Sequence, residues 1–136
     1  MSEEWRKKIE KISDNEWKIP QDAKPGMRVP GIVFANETLM QSILKDQALE
    51  QVANVACLPG IVKYSFGMPD LHWGYGFPIG GVAATDVEGE GVITPGGVGY
   101  DINCGVRLIT SKFSLNDIKE KINELMAQLF RDIPCG

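Results

Sequence analysis

Histidine is almost absent from this chain: His72 stands alone among 136 residues. No Ser-His-Asp set can be assembled around it with any definition. Cysteine is scarce as well, with Cys57, Cys104 and Cys135 odd in number and never spaced C-x-x-C. That pattern predicts free thiols in a reducing cytoplasm and argues against a disulfide framework. No apolar run approaches the ~20 residues a membrane span requires. The opening MSEEWRKKIEKI is too charged for a signal peptide. The phosphate-binding G-x-x-x-x-G-K-[ST] is missing throughout. The run from Gly74 to Gly80 has the wrong third spacing for a dinucleotide fingerprint, and Pro78 would break the helix such a motif must open. Positive charge is in deficit too, 14 Lys and Arg against 18 Asp and Glu, for a net charge of −4. No global basic field draws in nucleic acid, which leaves only a local groove for such binding.

What the chain does hold is ordinary for a globular protein of about one domain, with 43% hydrophobic residues. The aromatic and charged fractions do not indicate disorder. Its glycine is not ordinary, because 11 of the 15 glycines fall between Gly67 and Leu108. Glycine at that density serves sharp turns and close backbone approach. The same stretch carries His72, Asp70, and the pair Asp101 and Cys104.

The flanks read as scaffold. Trp5, Ile9 and Ile12 recur every three or four positions and predict a short amphipathic helix over 3–12, with Lys7 and Lys8 on its solvated face. Prolines at 20, 25 and 30 predict a connector from Trp17 to Pro30, extended around Met27–Val29. Ile32–Ala35 reads as a brief strand. Asn36 or Thr38 caps a helix carrying Leu39, Met40, Ile43 and Leu44. A second helix from Asp46 places Leu49, Val52, Ala53 and Ala56 on one face and stops at Pro59-Gly60. Cys57, at the end of that face, reads as a small buried thiol. Ile61–Phe66 is strand-like, and Phe77–Ala84, Gly91–Thr94 and Val106–Phe113 are further strand candidates. The run Val87–Gly91 between them sits in a turn. Ser114 and Asp117 form a capping-box signature for a last helix with Ile118, Ile122, Leu125 and Leu129 on one face, widened by Met126 and Phe130. Pro134 ends it. The fold class expected is α+β: short mixed strands around a glycine-rich core, with flanking helices. The ending RDIPCG follows directly on an apolar helical stripe, so the chain is expected to be part of a longer fold.

Asp101 and Cys104 are three residues apart between Gly99 and Gly105, so a turn over 99–105 would bring carboxylate and thiolate together as metal ligands. Two ligands do not complete a site. Asp70 and His72 are two apart, so on an extended segment both face the same way and are candidates to complete it. Spacing alone leaves a metal site and a structural turn with a buried cysteine both open. By softness the metal would be zinc.

The residues themselves carry more than their spacing. MPDLHWGYGFPIGGVAATD followed by GVITPGGVGYDINCGVRL closely resembles the RtcB family of RNA ligases, which act in tRNA splicing and RNA repair. The similarity extends outward through MRVPGIVFA, ALEQVANVACLPGIVKYS and the final helix. It implies one N-terminal segment, 1–136, of an RtcB-like ligase, part of a larger fold. It implies that Asp101 and Cys104 bind a pair of manganese ions, with the thiolate bridging them. It implies that Asp70 orients a histidine that is guanylylated by GTP; no role follows for His72. The implied reaction joins an RNA 3′-phosphate or 2′,3′-cyclic phosphate to a 5′-hydroxyl through enzyme–guanylate and RNA–guanylate intermediates. The implied partners are RNA (tRNA exon halves or broken ends) and an archease-type activator protein, in the cytoplasm and without a membrane. The family's other ligands and its nucleophile are histidines that lie downstream, so the chain alone is expected to be inactive. The competing readings are a stand-alone metal-binding or regulatory module using Asp70, His72, Asp101 and Cys104, and a non-catalytic oligomerisation piece. For Asp70 the alternative is a cap on a turn after Pro69.

Overall fold

A computed structural model describes residues 3–99 and 105–133. The chain divides into two compact units, residues 1–102 and 103–136. The first is an α+β unit built on a five-stranded mixed sheet. Its strands are β1 (Glu10–Ser13), β2 (Glu16–Ile19), β3 (Gly31–Phe34), β4 (Ile61–His72) and β5 (Ile79–Thr85), and they lie in the sheet in chain order. Every neighbouring pair is antiparallel except β3 and β4. A parallel pair needs a crossover, and two helices make it: α1 (Glu37–Ile43) and α2 (Ala48–Val55).

The sequence accounts for both helices. Asn36 caps α1, its side-chain oxygen accepting from Leu39 N at 2.9 Å. Asp46 holds the entry to α2 by accepting from Ala48 N at 2.9 Å. The apolar positions of α2 reach the sheet, and Leu49, Val52, Ile19 and Val33 are all fully buried between the layers. Removing a leucine-sized side chain from water contributes roughly 1.5–3 kcal/mol, so this stripe holds the helix layer on the sheet. Ser65, the buried polar residue of β4, donates its hydroxyl to Val52 O at 2.9 Å and ties the two layers together.

The N-terminus departs from the expected helix. Glu3–Lys8 is a 3-10 helix, and from Glu10 the chain is a strand. Asp14-Asn15 makes a two-residue turn that pairs β1 with β2, Ser13 opposite Glu16. Pairing with β2 outweighs the helical spacing of Trp5, Ile9 and Ile12, although Trp5 and Ile9 still pack on the core. The same turn makes a strand of Glu16–Ile19, at the start of what read as connector. Trp17 donates its indole N–H to Ala35 O at 2.9 Å. Lys8 donates to Asp22 O at 2.8 Å and pairs with the Asp22 carboxylate on the surface.

Two further strand candidates do not form. At Gly91–Thr94 the backbone is taken up locally: Gly91 N donates to Asp86 O, Thr85 Oγ1 donates to Val92 O, and Thr94 caps a 3-10 turn at Pro95–Gly97. Val106–Phe113 has no strand partner among the described residues and is exposed throughout, and a strand without a ladder does not hold. The turn at 87–90 is as expected.

The second unit is helical: α3 (Leu115–Ile118), a 3-10 turn at Lys119–Lys121, and α4 (Ile122–Asp132). The expected single helix is thus interrupted over 119–121. The capping box forms as read, the Asp117 carboxylate accepting from Ser114 N at 2.8 Å and from its hydroxyl at 2.7 Å. No described residue of α4 is buried. Across the described residues no helix is long and apolar enough to cross a membrane.

Candidate functional site on the bulged strand

The ladder between β4 and β5 is uneven, and the unevenness falls on Asp70. Gly67 pairs with Gly81 and His72 with Ile79, so β4 advances five residues while β5 advances two. The three extra residues make a wide bulge over Met68–Leu71. Pro69, with no N–H to offer a ladder, is suited to such a place. Leu71 turns inward and is 5% exposed, while Asp70 and His72 on either side of it are exposed. The two polar residues therefore do share a face of an extended segment, as their spacing predicts.

Asp70 caps no turn. It lies within β4, and among the described residues its carboxylate accepts no hydrogen bond. Gly80 lies against it with φ +74°, where a Cβ would come within 2.6 Å of Asp70 Oδ1 and 3.0 Å of Leu71 N. A side chain there would displace the carboxylate or the peptide that carries it. The His72 ring nitrogen Nδ1 lies 2.7 Å from the Asp70 carbonyl oxygen. A carbonyl only accepts, so Nδ1 carries the proton and Nε2 is the nitrogen left to face outward.

Beyond His72 the chain bends through Gly74–Phe77 into β5, and no helix opens at the Gly74–Gly80 run. The dinucleotide motif excluded from its spacing is therefore absent in structure too. The bend is held from beneath by Gln51 of α2. Its Nε2 donates to Gly74 O at 2.6 Å, and its Oε1 accepts from Gly74 N at 2.9 Å. Trp73 and Tyr75, on either side of Gly74, are 59% and 80% exposed. Gln51 escapes a reading by helical periodicity. The apolar stripe of Leu49, Val52, Ala53 and Ala56 puts it on the opposite side of the helix, yet α2 is buried almost all round.

Asp101 and Cys104 lie outside the described residues, as does Cys135. Among the described residues no group of three or more His, Cys, Asp or Glu could hold a metal ion. Asp70 and His72 supply two donors of suitable type, an open carboxylate and an imidazole Nε2. That fits a metal only as part of a larger set, since sites of this kind take three or four ligands. Cys57 is half-buried, more open than the buried thiol expected, and its Sγ donates to Ala53 O at 3.3 Å. Burial pushes its thiol up, against the opposing pull of Lys24 and Arg28, so it is not an activated thiolate.

Comparison with known proteins joins this geometry to a family. The family model for tRNA-splicing ligase RtcB matches residues 51–136, from Gln51 through the bulge and the Asp101–Cys104 element to the last helix. The chain is 57% identical over 121 residues to the tRNA-splicing ligase RtcB of Aeropyrum pernix, covering 88% of this chain and 25% of that protein. It is 57% identical over 130 residues to that of Thermococcus kodakarensis, 96% of this chain and 26% of that protein. With the Methanococcus maripaludis protein of the same name the identity is 52% over 128 residues, covering 94% of this chain and again 26% of the relative. The chain therefore spans about a quarter of the length of these relatives. A match over most of the chain, at this identity and with the quoted motifs inside it, shows that the chain belongs to the RtcB family.

Proposed function

We propose that the chain forms the N-terminal segment of a GTP- and manganese-dependent RNA ligase that joins 3′-phosphate or 2′,3′-cyclic phosphate ends to 5′-hydroxyl ends. The observation that carries this reading is 57% identity across 88% of the chain to a protein named tRNA-splicing ligase RtcB. The substrates are RNA ends from tRNA splicing or breakage, the partner an archease-type activator, and the compartment the cytoplasm. Asp101 and Cys104 are assigned as residues that would hold manganese, through a carboxylate and a thiolate. When bound, such ions neutralise developing phosphoryl charge and polarise phosphorus. Asp70 is assigned to a histidine outside this chain. A carboxylate on one imidazole nitrogen fixes the tautomer and leaves the other nitrogen free to attack the α-phosphorus of GTP, breaking the bond to the β-phosphate so that pyrophosphate leaves. An exposed carboxylate with no hydrogen bond among the described residues suits that task.

The test is made on the complete ligase, with guanylylation and manganese content measured on the same preparations. Cys104→Ala is expected to abolish guanylylation, and Asp101→Ala to damage it comparably. Near-normal ligation by the Cys104→Ala enzyme would remove Cys104 from the metal site. Asp70→Asn keeps the shape and loses the charge, so it is expected to retain manganese while guanylylation slows by orders of magnitude. Manganese lost from Asp70→Asn would make Asp70 a ligand and favour a four-residue site with His72, Asp101 and Cys104. The 136-residue chain by itself is expected to ligate nothing.

A further inference from the structure

The bulge over Met68–Leu71 is lifted out of the β4–β5 ladder, so the pairs Gly67–Gly81 and His72–Ile79 hold only its ends. The Asp70 carboxylate makes no hydrogen bond among the described residues, so its position depends on the main chain beneath it. Four contacts fix that main chain, the first being the His72 Nδ1–H donated to the Asp70 carbonyl at 2.7 Å. Leu71 is buried in the core, Gly80 packs against the Asp70–Leu71 peptide, and Gln51 grips Gly74, just beyond the end of β4. The last is unusual in kind. Gln51 is 6% exposed, and its one amide satisfies both polar groups of a single residue, as a neighbouring strand would. Buried polar groups are retained where their partners are complete, because leaving either unmade costs more than the bond contributes.

We propose that Gln51 is a positioning residue for Asp70: it pins the exit of the bulge to α2, so that the carboxylate is presented in one place. The proposal rests on the role assigned to Asp70 above. Displacing a reacting group by about 1 Å can cost on the order of 100-fold in rate, so loosening this exit acts on the chemical step and not on substrate binding.

The test uses the complete ligase and two substitutions. Gln51→Leu keeps the volume and removes both hydrogen bonds. Gln51→Glu keeps the shape: as the protonated acid it both donates and accepts, as the amide does, whereas the carboxylate sets a second acceptor against the Gly74 carbonyl. For Gln51→Leu the single-turnover guanylylation rate per folded molecule is expected to fall about tenfold or more, with the KM for GTP and the manganese content unchanged. For Gln51→Glu the rate relative to wild type is expected to rise as pH falls. A Gln51→Leu enzyme with a lowered melting temperature and a wild-type rate would overturn the proposal, and so would a Gln51→Glu ratio that is flat with pH. If Gln51→Leu does not fold, the pH dependence of Gln51→Glu decides alone. Asp70→Asn runs alongside. If it guanylylates normally, the role of Asp70 fails and this proposal with it. If it is slow while both Gln51 variants are normal, only this proposal fails.

Discussion

Helices α2 and α4 carry similar apolar stripes and meet opposite fates. In α2 Ala48, Leu49, Val52, Ala53 and Val55 are buried, the first four completely. In α4 the same pattern leaves Leu125 at 39%, Leu129 at 41% and Phe130 at 74% exposed. Amphipathic spacing is therefore a statement about what a helix can bury and not about what covers it. Around α2 the covering is local, since β3 and β4 flank it in the chain and close the crossover. Among the described residues nothing so near in sequence supplies a sheet for α4.

Substitution should show this difference most strongly. Leu49→Ala leaves a cavity between two rigid layers and is expected to destabilise the first unit by about 2–5 kcal/mol. Leu129→Ala, on a face already open to water, is expected to change the stability of the 136-residue chain by less than about 0.5 kcal/mol. Urea unfolding followed by far-ultraviolet circular dichroism reads both. The comparison breaks if the two losses are equal in this chain. It sharpens if Leu129→Ala becomes severe only in the complete ligase, because that would locate the cover for α4 outside these residues.

Between those two helices lies the bulge, where backbone fit replaces apolar packing. Gly80→Ala forces a side chain into φ +74° and toward Asp70 Oδ1. An expected loss of about 1–3 kcal/mol should come with slower guanylylation in the complete ligase, because the group displaced is the carboxylate itself. Unchanged guanylylation at lowered stability would confine Gly80 to a structural role.

How far the sequence could be read follows the same division. Elements whose determinants are local were legible: the Asn36 cap, α2 with its stripe, the core of β4, and the Ser114–Asp117 box. The shared face of Asp70 and His72 was legible too, because period-two alternation needs only an extended chain. Elements decided by a partner were not. The spacing of Trp5, Ile9 and Ile12 was helical, and only the Asp14-Asn15 turn between Ser13 and Glu16 signalled the hairpin that overrode it. Val106–Phe113 had the composition of a strand but no ladder to join. Gln51 was invisible because its role is set by a residue 23 positions away in the chain. The D-x-x-C element lies outside the described residues, and its assignment as a metal site rests on family resemblance, since two ligands of a larger set carry little information by spacing.

The smallest effect concerns the two helix caps, which differ as the two helices do. Asn36 caps α1 with an amide, which does not titrate, on a helix packed into the core. Asp117 caps α3 with a carboxylate in an exposed unit, and the Ser114 hydroxyl, then its backbone N–H, hold that carboxyl below its ordinary range. A group whose folded value is depressed contributes its stabilisation above the unfolded value and loses it as pH falls through the folded one. The helicity that Asp117 supports is therefore expected to be full at neutral pH and to decline on the acid side of the ordinary carboxylate range. Asp117→Asn retains one acceptor and no charge, so its helicity should be slightly lower at neutral pH and insensitive to that acid step. Far-ultraviolet circular dichroism of the two proteins across the acid range should converge as Asp117 protonates. A gap that persists undiminished in acid would show that the carboxylate charge is not what sustains the cap, and the contrast with Asn36 would reduce to burial alone.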